Sequence, residues 1–548
     1  KVSDASPKDR FDVVFNDPRV LRGENPYAEH SAVPFNPFRN PVQEWTIDDR
    51  SGDNGVIRNR LRSALAVNDE ELTTAAKYVL SLTGNEDRAA LPLDLTNLSW
   101  LYRLTRTARL LNLTLDEYLN LLCQLFYADR PYLRPGKDAV PQNAEAAEAV
   151  WKAARWLEQS GFDIYRIQYI TTGQRNAGYD PGFVPEQIGP FVNNVAAMSA
   201  GALLAPAKLK VGDMTDDQAE QMFAALVNDA VVNSDGIFMK TDFSFQDAAL
   251  YVPVARCGGV WQTGFHAATF QALSSLLTAE ESAAVFQALC AHEPGILVKT
   301  TDDAAVLSEA FDEKTDLSFL ASVLSADAAD LQIQDIRRIL LAARTNIGLL
   351  KTNLTKAAEQ QTDGVVKSLA EFVDTSAPTI RSLLPFAARQ AGVSHVLISF
   401  LTPPADGETP ASLVTFIGRL AQWKLIVDQL GLNEAETAFI TDPAGAAHFH
   451  IDDPGRVTLR DIETMAAYKE LVDRFNDRDG RLLKYFQVPR ANPDDKWALL
   501  SEISGWNAAD IRTLAEYFWP SSNHAEDDYD TVRGLNTLLG CFEQAQAL

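Results

Sequence analysis

The chain has 548 residues, of which 46% are hydrophobic and 22% are charged, an ordinary balance for a globular protein. This length is sufficient for two to four domains. Its 74 acidic residues exceed its 49 basic residues and give a net charge of −25. Extended binding to nucleic acid or to an anionic membrane needs concentrated Lys and Arg, so this charge argues against both. Four widely spaced cysteines are too few to indicate a disulfide framework.

The sequence contains no pattern that predicts a secretory leader or a membrane-spanning helix. No charged-then-apolar leader precedes the first elements, so no secretory signal is predicted in this segment. The first residue is Lys1 and not Met, which suggests a processed or excised segment. The most apolar window, Val195–Ala207, is too short to cross a bilayer, so the segment alone is not expected to span a membrane.

Residues 1–54 differ in composition from the rest of the chain. They are rich in Asn, Pro, Asp and Arg, which disfavour helix. We therefore predict an extended arm that is attached to a neighbouring surface through isolated aromatic residues. These aromatic residues are Phe11, Phe15, Tyr27, Phe35, Phe38 and Trp45.

Regular helical periodicity begins near Val56. Ile57, Leu61 and Leu65 recur at a spacing of four, which predicts one apolar stripe of a helix. Asn68 is the predicted cap of the next helix, which should continue until Gly84.

A helix, a turn of one to three residues and a second helix with its own capping residue form a recurring unit. The clearest example places Thr114 after one helix and Glu117 three positions later, the spacing of a capping box. Such caps are each worth about 1 kcal/mol, and they reverse the chain sharply enough to pack neighbouring helices antiparallel. The further copies are Asn433 with Glu436, Asn507 with Asp510, Asn68 with Glu71, Thr215 with Gln218 and Thr278 with Glu281.

The irregular spacing of these units excludes a fixed-period solenoid. Strand patterns are confined to short candidates at 296–299 and 449–451. The predicted fold is therefore all-α, a large antiparallel multi-helix shell of capped helix-turn-helix units with long irregular loops. The predicted loops, rich in Pro, Gly, Asn or Asp, are 131–144, 173–190, 403–411 and 519–530. The predicted domains are the arm at 1–54, a main helical body at 55–400 that is least certain at 130–260, and a C-terminal helical segment at 401–548.

One cluster has the residue types of a metal site. In an extended conformation His448 and His450 would point the same way, and Asp452 or Asp453 would add a carboxylate. Nearby in sequence there is no third His or Cys, so the histidines are interpreted as structural or solvent-exposed.

Three other patterns also favour structural interpretations. In Phe475–Phe486, aligning Gly480 with the glycine of a calcium loop puts Phe at both positions that require carboxylates, which indicates a turn between helices instead. Cys290 and His292 lie at a predicted helix end, and their proximity in sequence does not establish a catalytic pair. The row Arg103, Arg106 and Arg109 is interpreted as a solvated helix face or a partner of acidic neighbours.

No standard hydrolase, metalloprotease, P-loop or dinucleotide-binding motif occurs in the sequence. We therefore predict no catalytic, cofactor-binding or metal-binding residues. We also predict that the protein is not an enzyme.

Segments near both ends of the chain resemble one family. Residues 95–104 and 108–117, a Leu-Tyr-Arg helix followed by a small turn and a Thr-x-Asp-Glu helix start, resemble the helical shell of the A component of bacterial Tc (toxin complex) insecticidal toxins. Val14–Pro18 resembles the segment that precedes this helix in that family, and 458–506 resembles the shell segment that leads toward the pore domain. The order of these matches suggests that the resemblance covers nearly the whole chain, least of all residues 130–260.

The resemblance implies a non-enzymatic shell segment of a secreted toxin. In that family the A component is a bell-shaped homopentamer, whose shell encloses a translocation channel, attaches to host cells and opens when pH shifts, and whose B and C components supply the toxic enzyme. Nothing in this chain resembles the channel helices, so its expected partners are copies of itself or a pore-bearing A chain, with a host receptor or glycan also possible. Two alternatives remain open: a helical scaffold or adhesion module outside toxins, and an all-α barrel glycosidase with two carboxylates in an aromatic cleft.

Overall fold

The fold is known from a computed structural model, which confirms the predicted all-α class. Helices form nearly all of the regular structure, and the strands of the described part of the chain form two short antiparallel ribbons. The structure describes residues 10–21, 35–38, 41–82, 87–126, 144–212, 214–228, 230–243, 284, 299–301, 304–306, 333–404, 409–489, 492–519 and 528–547. No helix within these ranges is long and apolar enough to cross a bilayer.

The chain divides into two compact units. Unit 1 contains residues 1–181 and 422–548, and unit 2 contains residues 182–421. The predicted boundaries at 54 and 400 do not coincide with this division. Those boundaries were placed where composition changes locally, whereas unit 1 combines two segments that are far apart in sequence.

Unit 1 is built from short and medium helices and one ribbon. The elements of its first segment are α1 (Arg10–Phe15), α2 (Pro18–Leu21), β1 (Glu44–Thr46), α3 (Gly52–Leu65), α4 (Asp69–Leu82), β2 (Ala90–Pro92), α5 (Leu95–Leu110), α6 (Leu115–Phe126), α7 (Ala144–Ser160) and α8 (Ile164–Thr172). Those of its second segment are α16 (Glu434–Thr441), α17 (Pro443–Ala447), a 3₁₀ turn (Pro454–Arg456), α18 (Leu459–Arg474), α19 (Arg481–Gln487), α20 (Pro493–Ser504), α21 (Ala508–Phe518) and α22 (Val532–Ala547).

Unit 2 has longer helices. Its elements are a 3₁₀ turn (Pro185–Gln187), α9 (Ile188–Ser199), a 3₁₀ turn (Ala200–Ala202), α10 (Pro206–Leu209), α11 (Asp216–Asn228), β3 (Lys299–Thr301), β4 (Ala304–Val306), α12 (Ile333–Phe372), α13 (Ala377–Ala391) and α14 (Val396–Leu401). The division between the units falls within α15 (Ala411–Leu430).

The arm predicted for residues 1–54 is not free of helix, so that prediction is wrong for its first part. Two short helices, α1 and α2, lie within residues 10–21. Phe15 and Phe35 are each 3% exposed, and the amide of Asn16 bonds both to the backbone N–H of Phe35, at 2.8 Å, and to its carbonyl, at 3.1 Å. Tertiary burial here overrides a composition that is unfavourable for helix.

The first helical stripe forms as predicted. Ile57, Leu61 and Leu65 are buried on α3. The end of this helix is stabilised from a distance, because the guanidinium of Arg109 donates to the carbonyl of Leu65 and, at 2.7 Å, to that of Ala66. Arg109 therefore caps α3. The sequence pattern predicts that the arginine row is solvated or meets acidic neighbours, and it does not predict this contact.

The predicted corner between α5 and α6 has the expected hydrogen bonds. The backbone N–H of Glu117 donates to the Thr114 hydroxyl at 3.2 Å, and that of Thr114 donates to the Glu117 carboxylate at 2.7 Å. Asn112 has φ 58°, and the N–H of Leu113 donates to the carbonyl of Ala108 at 2.9 Å, which ends α5 in one left-handed residue.

The other predicted corners are confirmed in most details. Asn68 and Glu71 form the same reciprocal pair, as do Asn433 and Glu436. Asn507 caps α21 through the N–H of Ala509, one residue earlier than predicted.

Three predicted corner features have different outcomes. The helix after Thr215 begins at Asp216, as expected. At the Asn507 corner, the ring of Trp506 stacks on Phe542 of α22 with centroids 4.1 Å apart. The Thr278–Glu281 unit lies outside the described residues.

Unit 2 is organised around the C-terminal half of α12, the half whose side chains the structure describes. Its Phe372 ring lies 4.2 Å from that of Phe191 on α9, which in turn meets Phe400 of α14 at 6.3 Å. Gln361, with no exposed surface, accepts from the N–H of Phe238 at 3.0 Å and donates to the carbonyl of Gly236 at 2.8 Å. A polar side chain in the C-terminal half of this helix thus fixes a turn that lies more than a hundred residues earlier in the chain.

Candidate functional site

The interior of unit 1 contains buried charged side chains, the kind of group that could act in catalysis. Four acidic side chains are buried among the described residues: Glu436, Asp461, Asp477 and Asp528. Each accepts a backbone N–H at, or within two residues of, the start of a helix. A carboxylate in this position satisfies otherwise unpaired helix amides and interacts favourably with the helix dipole. These acids therefore cap the N-terminal ends of helices.

Glu436 is the most heavily used of the four. One carboxylate oxygen accepts from the backbone N–H of Asn433 at 2.8 Å and from the Lys469 amine at 3.0 Å. The other accepts from the Tyr468 hydroxyl at 3.2 Å and again from Lys469 at 3.1 Å. The same side chain thus caps α16 and joins it to α18.

Asp461 caps α18 in a similar way but with a different electrostatic balance. Its carboxylate accepts from the backbone N–H of Thr458 at 2.8 Å and from its hydroxyl at 2.9 Å. Burial raises the pKa of Asp461 above its usual value; the bonds from Thr458 and the charge of Arg533 oppose this shift, and the charge of Asp452 adds to it.

A buried lysine joins α19, α20 and the residues before α22. The Lys496 side chain has no exposed surface. Its amine donates to the carboxylate of Asp530 and, at 2.9 Å, to the backbone carbonyl of Tyr485, and lies 4.8 Å from the centroid of the Tyr485 ring. The Tyr485 hydroxyl donates to the carbonyl of Tyr529 at 2.7 Å, so this cluster is closed by protein groups on each side.

His448 reaches the same cluster from α17. Its Nδ1 lies 2.6 Å from the carbonyl oxygen of Asp530 and 3.9 Å from the nearer carboxylate oxygen. Its ring packs between Phe439 and Phe486, with centroids 5.8 and 5.4 Å away. The Lys496–Asp530–His448 cluster therefore contains an amine, a carboxylate and an imidazole in an aromatic environment.

This composition resembles that of a catalytic centre, but the amine of Lys496 has no access to solvent. An amine nucleophile must reach a substrate carbonyl, and the Lys496 amine is enclosed by its two acceptors and the Tyr485 ring. Burial, with the charge of Asp530, raises the pKa of Tyr485 well above its usual value, so its hydroxyl stays protonated as a donor. The arrangement is suited to holding three helices in register.

The predicted metal candidate does not have the extended geometry on which it depended. His448 is the C-cap residue directly after α17, and His450 has a left-handed conformation with φ 57°. Asp453 accepts from the backbone N–H of Gly455 and caps the 3₁₀ turn. Within the described ranges no three His, Cys, Asp or Glu side chains are grouped closely enough to hold a metal ion.

The remaining candidates are placed as follows. The segment after Phe475 is a turn between α18 and α19, as predicted, in which Asp477 accepts from the N–H of Leu482 at 2.7 Å. Arg103 lies over the Trp100 ring. Cys290 and His292 lie outside the described residues.

Comparisons with known proteins give no independent identification. No family of known sequence pattern matches this chain, and no curated protein is significantly similar to it. Interpretation of function therefore rests on the residues and their geometry.

Proposed function

We propose that this chain is a non-enzymatic shell segment of a Tc-type toxin A subunit. In this proposal the helical body surrounds a translocation channel that is supplied by a partner chain or by another part of the same protein. It acts outside the producing cell, where it supports attachment to the host and pH-triggered delivery, and it assembles as a homo-oligomer, a pentamer by analogy with the family.

The corner between α5 and α6 is the observation that carries this proposal. The family resemblance is densest at residues 95–117, and these residues form a helix, a left-handed turn and a capping box in that order. The buried side chains Leu98, Leu101 and Tyr118 fix the two helices against their neighbours. A rigid reversal of this kind is what an enclosing wall of antiparallel helices requires.

The use of buried charge also supports a structural role. Active sites tend to hold ionisable groups in clefts where a substrate can reach them. Here the four buried acids bond to helix amides, and Lys496 is enclosed. The glycosidase alternative requires two accessible carboxylates in an aromatic cleft. Among the described residues, those that line the aromatic cavity beside α5 include no carboxylate, so this cavity does not meet the requirement.

The proposal is tested first by the genes adjacent to the gene for this chain, and then by assembly. We expect neighbours that encode a pore-bearing A chain and B- and C-type components. Co-expression with that pore-bearing chain should give a large complex with several copies of each, measured by size-exclusion chromatography with light scattering and by electron microscopy.

The matched control replaces the neighbouring pore-bearing chain with one from an unrelated locus, which should not associate. A chain that stays monomeric with its own neighbour, in a locus without B and C components, would refute the toxin proposal. That result would favour the helical scaffold or adhesion module, which has the same fold.

A further inference from the structure

A small cavity lies between α5, α6 and α7, within unit 1. Its volume is about 200 Å³. Its walls include the indole rings of Trp100 and Trp151 and the buried side chains of Leu104 and Val150. A dry cavity of about 150 Å³ with similar apolar walls is large enough to hold benzene. The space therefore fits one six-membered ring with a short substituent.

Among the described residues that line the cavity, one side chain is charged, that of Arg103. Its guanidinium lies 5.4 Å from the centroid of Trp100. In the part of the chain that the structure describes, no acidic side chain forms an ion pair with Arg103, although the protein carries a net charge of −25. Helix α5 itself contains three arginines and no acid. The described lining thus presents one cation and no carboxylate.

The other polar groups of the lining narrow the class of ligand. The hydroxyl of Thr107 lies near that of Tyr118 and lowers its pKa, but burial has the larger, opposite effect. Burial raises the pKa of Tyr118 to about 12, so its phenol stays neutral and does not repel an anion. A sugar would need several free acceptors for its hydroxyls, and an amino acid would need an anionic partner for its ammonium. Neither requirement is met by these residues.

The indole of Trp151 is 54% exposed, which is unusual for so large an apolar ring. It stands on α7 at the edge of the cavity, while Trp100 stands on α5. Aromatic ligands gain from offset-stacked or edge contacts with such rings, and a guanidinium binds a carboxylate through two parallel hydrogen bonds.

We propose that this cavity binds a single-ring aromatic carboxylate, with the ring between Trp100 and Trp151 and the carboxylate on Arg103. The ligand is either a free small molecule or the C-terminus of a peptide that ends in an aromatic residue, because both present the same chemistry. This proposal does not depend on the proposed toxin function, so the failure of one would not refute the other.

The test is titration of the purified chain with three ligands of one shape and different charge: phenylacetate, 2-phenylacetamide and 2-phenylethylamine. For a ligand of this size we expect phenylacetate to bind with a dissociation constant of the order of 0.1–1 mM in calorimetry or ligand-observed NMR. The neutral amide should bind about tenfold or more weakly, because it loses the charge-assisted bond. The amine should not bind measurably.

Three variants locate the site. Arg103→Gln should remove the preference for the acid over the amide, and Trp151→Ala should weaken binding of both. Arg106→Gln removes the same charge three residues further along α5, outside the cavity, and should leave binding unchanged. Thermal unfolding checks that each variant remains folded, which is expected because Arg103 and Arg106 are exposed.

A peptide ending in phenylalanine distinguishes the two sources of ligand. Binding with a free but not an amidated C-terminus indicates a peptide ligand, and binding of phenylacetate alone indicates a small molecule. Equal binding of phenylacetate and its amide, loss of binding in Arg106→Gln, or no saturation by any of these ligands would overturn the proposal.

Discussion

Replacement of Lys496 by methionine tests whether the Lys496–Asp530–His448 cluster is structural. Methionine has a similar length and fills the same apolar channel, so the change removes the ammonium with little change in packing. It leaves the carbonyl of Tyr485 without its donor at 2.9 Å and the carboxylate of Asp530 without its cation.

The expected cost is about 3–5 kcal/mol in the free energy of unfolding, the range for breaking a buried pair by removal of one partner. Two features of this cluster place the value near the lower end. The Asp530 side chain retains 15% exposure, so solvent can compensate part of its charge, and His448 remains 3.9 Å from the carboxylate.

The measurement is urea unfolding followed by helical circular dichroism, with hydrogen exchange of peptides from α19 and α20 to locate the loss. Lys484→Met is the matched control, because Lys484 is exposed on the neighbouring helix α19, and it should change stability by no more than about 0.5 kcal/mol. Asp530→Asn and the double variant complete a cycle. We expect the double variant to cost about 1–2 kcal/mol less than the sum of the singles.

Two results would contradict this reasoning. If Lys496→Met costs no more than Lys484→Met, the amine does not stabilise the fold. If the cycle is additive, Lys496 and Asp530 act separately, and the cluster is not a unit.

Three further changes test the helix ends. Glu436→Ala should cost about 3 kcal/mol in urea unfolding and Glu117→Ala about 1 kcal/mol. Both glutamates complete a capping box, but only the loss of Glu436 also removes the partner of a half-buried lysine and a buried tyrosine. Equal costs would show that burial is unimportant. Arg109→Met should cost about 1 kcal/mol through the exposed carbonyls at the end of α3, against a negligible effect of Arg106→Met, and protection of the α3 amides from hydrogen exchange should fall only in the former. Because the folded-state pKa of Asp461 is raised, its carboxyl contributes most below its ordinary value of 3.8, and this contribution is lost as pH rises through the raised pKa. The stability of wild type relative to Asp461→Asn should therefore decrease with rising pH over that interval, and a constant or increasing difference in urea midpoints would be inconsistent with the shift.

The capped corners could be predicted because their chemistry is local. A capping box joins residues three positions apart, so Thr114 with Glu117 and Asn433 with Glu436 are readable from spacing alone. The capping-box spacing also predicts where the second helix of each corner begins. All-α architecture follows from the repetition of such units.

The contacts between distant segments were not predictable in this way. Arg109 caps a helix 43 residues earlier, and Lys496 pairs with an acid 34 residues later, and no periodicity relates such positions. For the same reason the sequence predicts that the arginine row of α5 is solvated or meets acidic neighbours, and it gives no sign that Arg109 bonds to backbone carbonyls at the end of α3. Helix α1 shows the complementary case, since its sequence disfavours helix and the buried ring of Phe15 and the bonds of Asn16 to Phe35 stabilise it.

The metal candidate failed on backbone conformation. Two histidines separated by one residue point the same way only in a strand, and the left-handed conformation of His450 separates their directions. Phe449, which lies between them, is fully buried, and this indicates a tightly packed turn. The sequence alone does not reveal that burial, so the turn could not be predicted from it.

The two-segment composition of unit 1 has a consequence for synthesis of the protein. The carbonyls of Tyr169 and Ile170, at the end of α8, are bonded by the amide of Gln422, at 3.2 and 3.0 Å. The ribosome must add about 240 residues between these two segments, which at roughly 5–20 residues per second takes on the order of 10–50 s. During that interval the first segment of the nascent chain lacks the residues that it packs against in unit 1. This is therefore the stage of synthesis at which the segment most needs binding by chaperones.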